Sequence, residues 1–224
     1  IMLKQENIEA AIDANNLDAH LGLGNVYYQQ DKLDDAIASL QKVIEIEPNF
    51  TLAHLSLGEI YYIQGKYEQA ITKLQYIIDL PPDEKYESRW STSYAHLGLG
   101  DIYRRQGKLN DAIAELRQAM QVEVDPNIAP AWTNECQGLI YLTQGQLDNA
   151  LTEFQQVTKI DPENASGYYN LVCVYSLKNE PQLAIESLQK AIDLDKSKIE
   201  LSKTDPDLDN IRQTPEFQKL INSY

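Results

Sequence analysis

At 224 residues, 43% hydrophobic and 24% charged, the chain has the composition of a folded protein and the length to bury a substantial core, which excludes intrinsic disorder. Thirty-four acids against nineteen bases leave a formal charge of −15, the wrong sign for nucleic acid or for direct binding to anionic membrane, and a basic or apolar protein partner is expected instead. Two cysteines, Cys136 and Cys173, are too few for a disulfide framework and fit a reducing, cytoplasmic setting.

In chain order, residues 1–16 carry Ile8, Ala11 and Ile12 at helical spacing and predict one helix, either a cap or the second half of an upstream repeat. From Leu17 onward the sequence repeats with a period of 34, in windows 17–50, 51–84, 93–126, 131–164 and 165–198. Slot eleven of the windows holds Tyr27, Tyr61, Tyr103, Tyr141 and Tyr175, and slot twenty holds Ala36, Ala70, Ala112, Ala150 and Ala184. Slot eight is Gly24, Gly58, Gly100, Gly138 and Val172; slot twenty-four is Leu40, Leu74, Leu116, Phe154 and Leu188. Slot fifteen is Asp31, Gly65, Gly107, Gly145 and Asn179, types that accept a left-handed turn after a helix. Apolar residues on both sides of that turn follow the helical period, so each window predicts a helical hairpin.

Two insertions break the period. Residues 85–92 add about two helical turns and predict a longer first helix in the third window. Residues 125–130, with Pro126 and Pro130, predict a longer loop, Pro130 opening the next helix. Residues 199–224 predict capping helices, with Asp205-Pro206 and Thr214-Pro215 as helix starts.

The Leu-Gly pair, the Tyr, the Ala and the closing Pro48, Pro82 and Pro162 together resemble the tetratricopeptide repeat (TPR). The resemblance spans residues 17–198, and the closing segment is similar to that of bacterial and cyanobacterial members. It implies an all-α fold, an α-solenoid coiled as a right-handed superhelix of about five hairpins, and a role in binding proteins with no shared chemistry.

Catalytic, metal and cofactor sites are not expected. Gly22 and Gly24 fall inside a helix with no strand before them, so they do not form a phosphate loop. His20, His54 and His96 occupy equivalent slots of stacked hairpins, about 8–10 Å apart by helix packing, too far to share one ion. Cys136 and Cys173 read as small buried hydrophobes, and no Gly-x-Ser-x-Gly is present.

Binding is expected on the stripe of the first helices that lies opposite the hairpin seam. Its candidate binding residues are Leu21, Asn25 and Tyr28, then Leu55, Glu59 and Tyr62, then Tyr94, Leu97, Asp101, Arg104 and the adjacent Arg105, then Trp132 and Tyr169, and the same stripe also carries Glu135 and Leu139. In the resemblance this stripe lines the concave groove. Its Tyr, Trp and Leu content suits an extended or helical segment with apolar anchors and a basic flank. The alternative is that these side chains pack on one another across a narrow groove. The lysine of a carboxylate clamp is replaced by Leu21, so that mode is not expected. Gly22 and Gly98, which the repeat does not require, are read as openings in the groove wall.

The chain is read as a non-enzymatic scaffold or adaptor. The competing readings are a regulatory or docking module of a larger enzyme or signalling protein, which the opening Ile1-Met2 keeps in view, and an assembly factor for a membrane complex.

Overall fold

The computed structural model describes residues 16–81, 86–121 and 129–224. The expected N-terminal helix and most of the 125–130 loop lie outside the described residues. Five antiparallel pairs make up the body: α1 (Leu17–Gln29) with α2 (Leu33–Ile46), α3 (Thr51–Ile63) with α4 (Tyr67–Asp79), α5 (Tyr86–Arg105) with α6 (Leu109–Gln121), α7 (Ala129–Thr143) with α8 (Leu147–Ile160), and α9 (Ala165–Leu177) with α10 (Pro181–Leu194). Each pair also packs on the next, which is the arrangement of an α-solenoid. At 20 residues α5 is longer than the 13-residue α3, and the extra turns lie at its N-terminal end.

The hairpin turns share one backbone solution. Asp31, Gly65, Gly107, Gly145 and Asn179 all have positive φ, between 58° and 74°. The residue after each donates its N–H to the carbonyl of the slot-eleven tyrosine, as Lys66 does to Tyr61 at 2.8 Å and Gln146 to Tyr141 at 2.9 Å. This closes the first helix with a Schellman-type bond and satisfies a carbonyl that would otherwise be left without a donor.

Within a hairpin the two helices cross where a slot-eight glycine meets the slot-twenty-four side chain. A Cβ built on Gly24 would stand 2.9 Å from Leu40 Cγ, and one on Gly138 would stand 2.5 Å from Phe154 Cε1. The slot-twenty alanines are fully buried at the same crossing, because any larger side chain would force the helices apart. Helix starts are capped by side chains: Asn16 Oδ1 accepts from Ala19 N at 3.0 Å, and Asn164 Oδ1 from Gly167 N at 2.7 Å.

Beyond α10 the chain does more than cover the last hairpin. Helix α11 (Ser197–Thr204) crosses the concave side of the array and packs against α3 of the second hairpin. A 3₁₀ turn (Pro206–Leu208) and α12 (Asp209–Arg212) return to α9, and α13 (Pro215–Ile221) packs on α10. Leu208, Ile211, Phe217 and Leu220 bury their side chains in that last layer. The stretch from Ser197 to Asp207 is a strap across the groove, and the sequence reading did not anticipate it.

Candidate functional site: the strapped groove

The first helices α3, α5, α7 and α9 face a common groove, and the strap fills part of it. A cavity of about 240 Å³ remains between α3, α5, α7, α9 and α11. Of the stripe residues read from sequence, Leu55, Glu59, Tyr62, Tyr94, Leu97, Asp101, Arg105 and Tyr169 line this cavity. Leu21, Asn25, Tyr28, Arg104 and Trp132 do not. Leu21 is half-buried and Asn25 exposed on α1. The Tyr28 hydroxyl donates to Glu59 Oε1 at 3.0 Å and lies 3.2 Å from Ser197 Oγ, which ties the first hairpin to the start of the strap.

Two residues of the stripe differ from the expectation that they offer surface to a partner. Trp132 is 5% exposed; its Nε1 donates to the Ala119 carbonyl at 3.2 Å and its ring packs on Tyr94, so it belongs to the α6–α7 core. Tyr169 is 2% exposed because the strap covers it, its hydroxyl donating to Asp205 Oδ2 at 2.9 Å.

The arginines are also committed. Arg104 pairs with Asp101 at 2.8 Å and with Asp207 at 2.7 Å; Arg105 pairs with Asp101 at 2.9 Å and with Asp205. The two guanidiniums therefore do hold carboxylates, but those of the chain's own strap. Burial opposes ionisation of Asp101, yet Arg105 and Arg104 outweigh it and hold its carboxyl well below the usual range. At Asp207 burial and the neighbouring Asp205 push upward against the pull of Arg104.

Cys173, Asp205 and Asp207 are the one group among the described residues whose ligand atoms converge closely enough for a metal ion. The paired guanidiniums already neutralise both carboxylates, and burial, then Asp205, pushes the Cys173 thiol well above its ordinary value. His54 and His96 have separate partners. His54 stacks on Tyr76 and its Nε2 lies 2.8 Å from the Pro48 carbonyl, while His96 Nδ1 lies 2.7 Å from Glu115.

Gly98 is explained by packing. A Cβ there would stand 2.9 Å from Leu74 Cδ1, the side chain that also occupies the space beside Gly58. Gly22 faces open space.

The repeat register and the paired helices find their match in two family profiles. One, described as TPR repeat, matches residues 24–65 and 138–178; the other, described as tetratricopeptide repeat, matches 93–124 and 165–198. The chain is a tetratricopeptide-repeat protein. Among solved structures this TPR protein is similar to a thermophilic TPR protein of Thermus thermophilus, with a TM-score of 0.58 and 20% identity over 83% of this chain and 94% of that one. It is also similar to PilF of Pseudomonas aeruginosa, with a TM-score of 0.50 and 18% identity over 97% and 100% of the two chains. A third, YrrB, is described as a TPR protein with an unusual peptide-binding site; its TM-score is 0.44 with 21% identity over 88% and 94%. At these identities the likeness is one of fold. No curated protein sequence matches the chain. Among the described residues no helix is long and apolar enough to cross a membrane.

Sequence reasoning missed Lys198 and Leu201, which line the cavity from the strap, and Trp90, which lines it from the inserted turns of α5. The available signal was the pairing of a basic Arg104-Arg105 with an acidic Asp205-Pro206-Asp207 in a chain otherwise short of bases.

Proposed function

We propose that this TPR protein is a non-enzymatic scaffold or adaptor that takes an apolar anchor of a partner protein into the cavity left between its groove and its strap. The observation that carries the reading is the cavity itself. About 240 Å³ of space, walled largely by leucine and aromatic side chains, lies where the stripes of four hairpins converge. Well-packed interiors rarely leave such volume unfilled, and apolar concavities of this kind mark binding sites. The −15 charge draws a partner with a basic flank.

Leu55 is half-buried at the cavity wall, and Leu55→Trp fills the space. Partner capture by the wild-type protein, compared with this variant at matched thermal stability, tests the proposal. Loss of capture is expected; unchanged capture with a folded variant sinks it.

A further inference from the structure

The cavity has walls of two chemical kinds. Leu55, Leu97, Leu139 and Leu201 give it apolar sides, and two carboxylates, Glu59 from the second hairpin and Glu135 from the fourth, also face it. Its other charged groups are already paired: Asp101 and Arg105 with each other, Arg105 also with Asp205, and Lys198 with Asp195 at 3.1 Å. Neither Glu59 nor Glu135 forms an ion pair among the described residues, and Lys198 acts on Glu135 only from beyond ion-pair distance. Glu59 accepts a hydrogen bond from Tyr28, and Glu135 accepts one long bond, 3.4 Å, from Asn170. Tyr94 lies in the field of both carboxylates, and Trp90 packs against it with ring centroids 4.2 Å apart.

An occupant must therefore satisfy apolar walls together with carboxyl groups that no cation contacts directly, Glu135 carrying its charge above about pH 7. A wholly apolar group would leave Glu135, 8% exposed, facing hydrocarbon without a counter-charge. A carboxylate would add a further negative charge beside Glu59, Glu135 and Asp101. A long basic side chain meets both demands, with a hydrocarbon stem along the leucines and an ammonium head toward the carboxylates and the aromatic faces. The excess of acids over bases enriches cations around the whole surface.

We propose that the cavity is the anchoring pocket for a lysine side chain of the partner segment, its stem against Leu55, Leu97 and Leu139 and its ammonium group held by Glu59 and Glu135. This rests on the groove reading given above and names the side chain that the groove selects.

The test, run near pH 8 where Glu135 is ionised, uses the full chain and three synthetic peptides that differ at one central position: acetyl-Ala-Leu-Lys-Leu-Ala-amide and its norleucine and glutamate counterparts. The two tryptophans provide the readout by ¹⁵N indole resonances. Trp90 lines the cavity, whereas Trp132 is buried with its N–H donated to the Ala119 carbonyl. The lysine peptide is expected to shift the Trp90 resonance and leave that of Trp132 in place. The norleucine peptide is expected to bind about tenfold more weakly, the scale of one charge-assisted contact, and the glutamate peptide weaker still. In the Glu59→Gln, Glu135→Gln double variant the lysine preference should collapse to within about twofold, because the counter-charge is gone. The isosteric changes keep side-chain volume, and a circular dichroism melt verifies the fold.

Equal binding of the lysine and norleucine peptides to wild type overturns the proposal, as does a preference that survives the double variant, or a Trp90 resonance that none of the peptides moves. If both peptides bind equally and Leu55→Trp abolishes both, the groove stands and the lysine pocket does not.

Discussion

Arg105, near the end of α5, is ion-paired to Asp205, in the turn after α11, and neither side chain is more than 2% exposed. Asp205 also accepts from the Tyr169 hydroxyl and from the Asp207 backbone N–H at 3.0 Å. Removing Asp205 takes from the buried Arg105 one of its two ion-pair partners and leaves the Tyr169 hydroxyl and the Asp207 N–H without their acceptor. Asp205→Ala is therefore expected to destabilise the protein by about 3 kcal/mol in urea denaturation. Asp209, an exposed carboxylate paired with Arg212, provides the contrast, and Asp209→Asn should stay within about 0.5 kcal/mol of wild type. Similar costs for the two variants would mean that the strap contributes nothing special.

Cysteine chemistry gives a local reading of the same strap. Cys136 and Cys173 are both buried, and burial pushes both thiols upward, so neither should react readily with iodoacetamide in the native protein. Cys173 lies beneath the strap, its Sγ 3.6 Å from Asp205 Oδ2, whereas Cys136 sits in the core with Trp132. In an Asp205→Asn, Asp207→Asn variant, Cys173 is expected to label at least about tenfold faster and Cys136 at its original rate, measured by peptide mass spectrometry. Equal acceleration at both thiols would indicate global unfolding instead.

Two glycine substitutions should act in opposite directions. Gly22 has open space around its Cβ position, so Gly22→Ala should stabilise α1 by roughly 0.5–1 kcal/mol. At Gly138 the Phe154 ring blocks the new methyl and is itself fully buried. Gly138→Ala should cost about 1–3 kcal/mol, read from thermal melts. A stabilised Gly138→Ala would show that the helix crossing has slack.

Glu135 makes stability depend on pH. Burial pushes its carboxyl up to about 7 from an ordinary 4.5, with Lys198 pulling down and Asp101 and Asp161 pushing up. Tyr94 and Cys136, its titratable neighbours, are both raised far above this range. Between pH 4.5 and 7 the folded protein keeps a proton that the unfolded chain releases. This contribution to stability is therefore present at low pH and lost as pH rises through the window. Glu135→Gln should remove that loss and exceed wild type at pH near 8 by roughly 1–3 kcal/mol. Melts at about pH 5.5 and 8 decide it: parallel behaviour of the two proteins would show that Glu135 ionises without strain. A buried acid that costs stability suits a residue retained for binding.

The repeat was legible in the sequence because each of its determinants is local. A left-handed residue ends each first helix, and a fixed offset separates each slot-eight glycine or valine from its slot-twenty-four partner, so a period of 34 displays them all. The stripe was legible in part: Leu55, Tyr62, Leu97 and Tyr169 do converge on one cavity. Trp132 was misplaced because helical period alone gives its face and not the depth of the neighbouring α6. The strap was illegible for a different reason. Its anchors, Tyr28 with Ser197 and Arg104 with Asp207, join distant parts of the chain through polar atoms, and no period or propensity encodes such a pairing.

The strap also changes what kind of object the array is mechanically. In an open row of repeats each unit touches only its neighbours, so melting begins at the weaker end and travels inward. Here the segment that leaves the last hairpin is fastened to the first through Tyr28, packs on the second and is ion-paired to the third. The row is thereby joined into a loop, and the described C-terminal end is not free to peel. Fraying from that side first requires Asp205 and Asp207 to let go of two buried arginines, so hairpins that would otherwise melt in succession are coupled into one transition.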